Sequence, residues 1–304
     1  MLIIRKVAIL LLITGLSSSS ANSNLMSGLT DIVDQAEETK TEETKVLNNA
    51  FKQRMISQRM ARDTLLIATE FKSSLYQKNL KEDADAFNSK FENLINSKKE
   101  IEMVVKKLPI FQEKIDKFKK TWLHFHENIE KLNKNGKDKE ATNYILNNNI
   151  EILEDIDFIF SSFLKFYQSS DKLENSMTHI KTMLFTQVGK PRMYITKAVK
   201  ERLLIKENIN KKENQKNLED TIQKMDKLMK ALKDGDKELE LHGTEDRKML
   251  EELAVSQKLW EEVKTIINKK SIGKEELELL IKKNNEFIEA HTKVVKLTRS
   301  SNDN

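Results

Sequence analysis

The residue with the most distinctive chemistry in this sequence is Arg54, in the segment LNNAFKQRMISQRMARD at 47–63. A guanidinium presents a planar fork of N–H donors that matches a planar oxyanion, and it stays charged at every relevant pH. On a helical wheel the face within about 60° of Arg54 is small or apolar, and it comprises Leu47, Ala50, Ser57, Gln58, Ala61, Leu65 and Ala68. Such a face suits close packing against another helix, where a buried guanidinium needs an anionic or hydrogen-bonding partner. The segment therefore predicts either an internal carboxylate or an anion from solution beside Arg54.

The same segment resembles the signature helix of the PilJ/NarX-type sensory domain, found in type IV pilus chemotaxis transducers and nitrate/nitrite sensor kinases. The residues that match the signature in order are Asn48, Ala50 and 52–62, and Phe51 stands where the family usually has glycine. The resemblance implies a homodimer in which two copies of Arg54 flank one small anion, with nitrate and nitrite as the candidates. It further implies that Ala50, Ser57 and Gln58 shape the pocket. A membrane chemoreceptor or sensor kinase is the implied signalling partner.

A weaker copy of the signature lies at 188–200, in VGKPRMYITKAVK, where Arg192 occupies the place of Arg54. Arg54 and Arg192 are 138 residues apart, and the same offset separates Trp122 from Trp260, the two tryptophans of the chain. Two independent landmarks with one offset indicate a tandem duplication. The neighbours of Arg192 are bulkier than those of Arg54, so we expect Arg192 to be a degenerate copy, and we keep it as a candidate ligand residue.

The N-terminal segment has the pattern of an export signal. Arg5 and Lys6 precede a ten-residue, largely apolar run at 7–16, and small residues end the segment at Ala21. The run is shorter than the roughly 20 residues that span a bilayer. We therefore predict a cleaved signal peptide at 1–21, a polar tether at 22–41 and a periplasmic protein, with an uncleaved anchor as the alternative. No later segment predicts a transmembrane helix, so a membrane partner would have to transmit any signal.

The composition predicts an all-α fold. One third of the residues are charged, only seven are glycine and two are proline, which is typical of long helices. The periodicity and breaks predict two four-helix bundles in series, 42–170 and 171–304, joined by a long or kinked helix. Predicted helices cover 42–77, 81–107, 109–132 and 139 to beyond 153, then 192–207, 214–232, 244–268 and 274–297. Pro191 predicts a kink or break at 187–190.

Other classes of function are disfavoured by the residues. The charges behind the net value of +5 are interleaved, which argues against nucleic-acid binding. His124 and His126 point in different directions on a helix, the other histidines are isolated, and the chain has no cysteine. We therefore expect no metal site, no cofactor and no enzymatic activity. The alternative to a sensor is a structural or interaction bundle of the cell envelope that binds no small ligand.

Overall fold

The computed structural model describes residues 42–96, 98–168 and 178–300. Within these ranges only the backbone is described for residues 42–51, 95–96, 98–100, 167–168, 178–186 and 299–300. The predicted signal peptide and tether lie outside the described residues.

The described residues form nine α-helices, so the all-α class is confirmed. The helices are α1 (Glu42–Ala68), α2 (Ser73–Asn96), α3 (Lys98–Lys107), α4 (Ile110–Lys134), α5 (Lys139–Gln168), α6 (Thr178–Lys206), α7 (Lys211–Asp234), α8 (Arg247–Ile267) and α9 (Lys274–Ser300). None of these helices is both long and apolar enough to cross a membrane.

The helices pack in two rings that meet mainly at α1 and α6. In the first half α1 packs on α2 and α5, and α4 closes the ring between them; in the second half α6, α7, α8 and α9 repeat this order. Helices α1 and α6 also pack against each other. They run in parallel, because the ends of both helices, at Thr69 and Lys206, line the same cavity. The described residues belong to one compact unit with a continuous apolar core, and the division at residue 170 stays a prediction.

Local sequence explains several helix boundaries. Pro109 occupies the N-cap of α4, where the missing N–H costs nothing, as the sequence predicts. One face of α4 is buried, at Phe111, Ile115, Phe118, Trp122, Phe125, Ile129 and Leu132. Helix α8 begins after Asp246, whose side chain accepts a hydrogen bond from the Met249 N–H at 2.8 Å, as an N-cap residue does.

The end of α1 differs from the prediction. The helix ends at Ala68 rather than near Gln77, because Glu70 adopts a left-handed conformation with φ 55°. The N–H of Phe71 then donates to the Leu66 carbonyl, and the N–H of Glu70 donates to the Ile67 carbonyl. This pair of hydrogen bonds is the Schellman motif. Glycine usually occupies this left-handed position, so the sequence carries no obvious stop signal here.

The second signature helix is continuous through Pro191. Of the predicted kink or break at 187–190 the break is therefore wrong, and the kink stays a prediction. Helix α6 includes Pro191, although an interior proline removes one backbone hydrogen bond and costs about 3 kcal/mol. The helix is buried on both sides of this position, for example at Val188 and Ile195. We attribute the continuity to this packing, which holds α6 against α1, α7 and α9.

The two tryptophans make equivalent contacts. Trp122 Nε1 donates to Asn88 Oδ1 at 3.0 Å, and Trp260 Nε1 donates to Asp226 Oδ1 at 2.6 Å. Both rings are buried in the core. Because Asn88 and Asp226 are also 138 residues apart, both members of each contact share the sequence offset.

Candidate functional site

The predicted site lies in a band of buried polar side chains where α1 and α6 meet their neighbours, which we call the polar seam. Both helices are enclosed, because α1 contacts α2, α5 and α6 while α6 contacts α1, α7 and α9. The buried charged or amide-bearing members on the two helices are Lys52, Gln53, Arg54, Gln58, Arg59, Arg62, Asp63, Gln187, Arg192, Lys200, Glu201 and Arg202. Burying so many charges is costly unless they are compensated, so each partner matters.

Arg54 has an internal carboxylate partner on α5. Its Nε lies against Asp157 Oδ1 in an ion pair that lacks the alignment of a hydrogen bond. The guanidinium stacks over the Phe160 ring, with Cζ 4.2 Å from the ring centroid. Among the described residues its two terminal nitrogens have no hydrogen-bond partner. The pair is not sealed, because the Asp157 side chain remains 48 % exposed.

The surroundings of Arg54 carry an excess of positive charge. Burial and repulsion from Arg54 lower the pKa of Lys190, with Asp157 opposing the shift. Burial raises the pKa of Asp157 against the attraction of Arg54, and burial lowers the pKa of Arg54 itself. The Tyr194 hydroxyl interacts electrostatically with both members of the ion pair, and burial raises its pKa. With two cations and one carboxylate ionised, the group formed by Arg54, Asp157 and Lys190 has a net charge of +1.

The other predicted pocket residues of α1 have protein partners. The Ser57 hydroxyl donates to the Arg54 carbonyl at 2.8 Å, so it is directed to its own helix. Gln58 is fully buried and its Oε1 accepts a hydrogen bond from Lys200 Nζ at 2.9 Å. The side chain of Ala50 lies outside the described residues. Of the pocket residues predicted on α1, Arg54 is therefore the one whose N–H groups remain available to a ligand.

Lys200 is the least expected member of the polar seam. Its ammonium is fully buried and donates to Gln58 Oε1 and to Asn149 Oδ1, the latter at 2.8 Å. Burial lowers its pKa to about 8, with Glu201 opposing the shift and Lys197 assisting it. This lysine thus connects α6 with α1 and α5 through neutral amide oxygens. No sequence motif indicated the role, since both amide partners are remote along the chain.

Two further arginines of α1 are buried with carboxylates. Arg59 forms a two-point contact with Asp83 of α2, in which Nε lies 2.9 Å from Oδ2. Arg62 Nε donates to Asp63 Oδ1 at 2.7 Å, and both side chains are fully buried. Burial raises the pKa of Asp63 to about 6 against the effect of Arg62. The wheel placed both arginines away from Arg54, and the structure assigns them to helix packing.

Arg192 lies in the second half and faces α9. Its Nη1 donates to Thr292 Oγ1 at 3.3 Å. The neighbouring His291 is fully buried and bonds the Val188 carbonyl through Nε2 at 2.7 Å. Burial lowers the pKa of His291 to about 3, and Arg192 adds to the shift. His291 is therefore neutral near pH 7 and stabilises α6 next to Pro191.

The described residues contain no group of three or more His, Cys, Asp or Glu side chains arranged to hold a metal ion. The chemistry of the polar seam is instead that of cations, amides and a few carboxylates. Such a set binds or orients anions.

The described residues thus form an all-helical fold with a cationic polar seam. Residues 38–147 match the family model described as PilJ, the type IV pili methyl-accepting chemotaxis transducer N-terminal domain. This part of the chain, about a third of its length, is similar to that family, which is sensory and non-catalytic. No curated protein and no solved structure matches the chain significantly.

Proposed function

We propose that the chain is an exported sensory protein that binds a small anion at Arg54 and acts through a membrane chemoreceptor or sensor kinase. Nitrate and nitrite are the first candidates, by resemblance of the signature helix to that of nitrate sensors. The observation that carries the proposal is the net positive charge of the group formed by Arg54, Asp157 and Lys190, in which the Asp157 side chain is half exposed. A monovalent anion there would neutralise the group.

We further propose that the chain contains two copies of the domain, of which the second is degenerate. Glu70 and Asn208 are 138 residues apart, and each is left-handed at the end of its signature helix. The hydrogen bonds of the second turn, from Asn208 to Ile205 and from Ile209 to Leu204, repeat those of the first. The two tryptophan contacts share the same offset. A duplication accounts for all of these pairs together.

The parallel contact between α1 and α6 bears on where the anion would bind. In the resembling family the ligand lies between two signature helices of a homodimer. Here α6 packs beside α1 in the same chain, and Lys190 of α6 contributes charge next to Arg54. The proposed site is therefore complete within one chain, and a homodimer stays a separate prediction.

Asp157 supports a second candidate function. An arginine with an internal carboxylate needs no ligand, and the Arg54–Asp157 pair suits a structural or interaction bundle. The two functions differ in what the pair does. In a sensor an incoming anion competes with Asp157 for Arg54, whereas in a structural bundle the pair only stabilises the packing of α1 on α5.

The test is a thermal-shift screen of the protein against small oxyanions, with two matched variants. We expect nitrate or nitrite to raise the melting temperature of the wild type. Arg54→Ala should abolish that shift, whereas Arg192→Ala, at the equivalent position of α6, should retain most of it. If no oxyanion shifts the wild type and Arg54→Ala lowers the free energy of unfolding by about 1 kcal/mol or more, as expected when a partly exposed ion pair and a cation–π contact are lost, the structural function is correct instead.

A further inference from the structure

A second candidate binding site lies away from Arg54, where α1 and α6 end and α9 begins. A cavity of about 600 Å³ opens there, and we call it the end cavity. Its charged lining residues are Glu70, Lys72, Lys206, Lys274 and Glu278. Two apolar side chains, Phe71 and Leu277, are largely buried and line the cavity between these charges. The volume lies within the range usual for small-molecule sites.

Two residues of the end cavity adopt a left-handed backbone conformation that is more costly for them than for the asparagines at the equivalent positions of the second half. Glu70 and Lys72 both have positive φ, at 55° and 47°. The equivalent residues 138 positions later, Asn208 and Asn210, have the same left-handed conformation. Asparagine tolerates that conformation, whereas other residues with a Cβ incur a cost of about 1 kcal/mol or more. The first half therefore keeps two charged side chains at this cavity despite a backbone cost, as functional sites often do.

The charges of the end cavity are incompletely paired. Lys274 and Glu278 are four residues apart on α9, the spacing at which lysine and glutamate can pair, yet they form no ion pair with each other. Glu278 is 3.9 Å from Lys72, at the outer limit of an ion pair, and Lys274 has no ion-pair partner among the described residues. By contrast, Glu70 is bound to Lys137 and Lys206 to Glu207. The cavity thus presents the unpaired Lys274 one helical turn from Glu278, whose contact with Lys72 is long, beside an apolar surface.

We propose that the end cavity binds a free amino acid with an apolar side chain. The carboxylate of such a ligand would pair with Lys274, its ammonium group with Glu278, and its side chain would cover Phe71 and Leu277. A simple anion would pair only with Lys274 and leave Glu278 with no more than its long contact to Lys72. This proposal goes beyond the anion function of Arg54, since the two sites use different residues.

The probe is L-leucine, compared by isothermal titration calorimetry with two analogues of similar size. Isopentylamine lacks the carboxylate and 4-methylvalerate lacks the ammonium group. We expect leucine to bind and each analogue to bind at least about tenfold more weakly, because each leaves one charge of the cavity unpaired. Equal binding of leucine and 4-methylvalerate, or no binding of leucine, isoleucine, valine, methionine or phenylalanine, would overturn the proposal.

Variants on α9 locate the binding site. Lys274→Glu should weaken leucine binding by at least about tenfold, whereas Lys282→Glu, an exposed position on the same helix outside the cavity, should leave it unchanged. Leucine binding that survives both Lys274→Glu and Glu278→Lys would place the ligand elsewhere and refute the assignment. The response to nitrate should be unaffected by Lys274→Glu, so failure at either site is distinguishable from failure at the other.

Discussion

The buried ammonium of Lys200 should make a contribution to the stability of this protein that increases at alkaline pH. The hydrogen bonds of Lys200 go to the amide oxygens of Gln58 and Asn149, and the attraction of Glu201 offsets only part of the effect of burial. Burial lowers the pKa of the folded protein's lysine to about 8, compared with 10.5 for the free side chain. Between these values the unfolded chain holds a proton that the folded chain has released. The contribution of Lys200 to the free energy of unfolding must therefore rise with pH across this window.

The size of the effect follows from the two pKa values. Each pH unit between them corresponds to about 1.4 kcal/mol, so Lys200 contributes a rise of about 3 kcal/mol between pH 8 and pH 10.5. Below pH 8 both states hold the proton and the cost of the buried charge is constant. Solvent hardly screens the charge of Lys200, because this residue is 1 % exposed.

The assay is urea unfolding at a series of pH values for the wild type and Lys200→Arg. Arginine keeps the charge across the whole range, so the difference between the two proteins isolates the titration of Lys200 from that of all other groups. We expect the wild type to gain about 3 kcal/mol relative to the variant from pH 8 to 10.5. Lys200→Met has no titrating group and offers the same comparison if arginine does not fit. Parallel stability curves for wild type and variants would refute the assignment of a buried, poorly compensated ammonium.

Two further predictions use the equivalences between the halves. Trp260→Phe should destabilise the protein more than Trp122→Phe, because Trp260 donates to a carboxylate and Trp122 to an amide. In urea unfolding we expect losses of about 1.5–3 kcal/mol and about 0.5–1.5 kcal/mol respectively. Equal losses would show that the carboxylate adds nothing. Lys72→Gly should raise the free energy of unfolding by about 1 kcal/mol, because glycine adopts the left-handed conformation without strain. Asn210→Gly should change it by only a few tenths of a kcal/mol. A lower free energy of unfolding for Lys72→Gly would mean that the lysine stabilises this turn.

Much of the helical architecture could be predicted from the sequence. The start of α4 after Pro109, the start of α5 at Lys139 and the start of α9 at Lys274 all agree with the structure, since proline and glycine mark these boundaries. The end of α1 could not be predicted, because Glu70 occupies a position normally held by glycine. Continuity through Pro191 was also missed, since tertiary packing on both sides of the proline outweighs its local cost.

The candidate site was predictable only in part. The sequence singled out Arg54 and its need for a partner, but not Asp157, which lies more than 100 residues away on another helix. The helical wheel could not assign Arg59 or Lys200 to buried positions, because it describes one helix and these side chains meet residues of others. Periodicity treats charged residues as solvent-facing, whereas α1 and α6 are surrounded on all sides.

The most direct test of the central claim is the affinity of nitrate for Asp157→Asn compared with the wild type, measured by isothermal titration calorimetry. Asparagine keeps the shape of the side chain and removes the internal anion that competes for Arg54. We predict that nitrate binds the variant about tenfold more tightly or better, because hydrogen bonds to charged groups contribute about 1.5–3 kcal/mol. The double variant Arg54→Ala, Asp157→Asn should show no binding. Nitrate binding that is absent from both the wild type and Asp157→Asn would contradict the proposal that Arg54 receives an anion from solution.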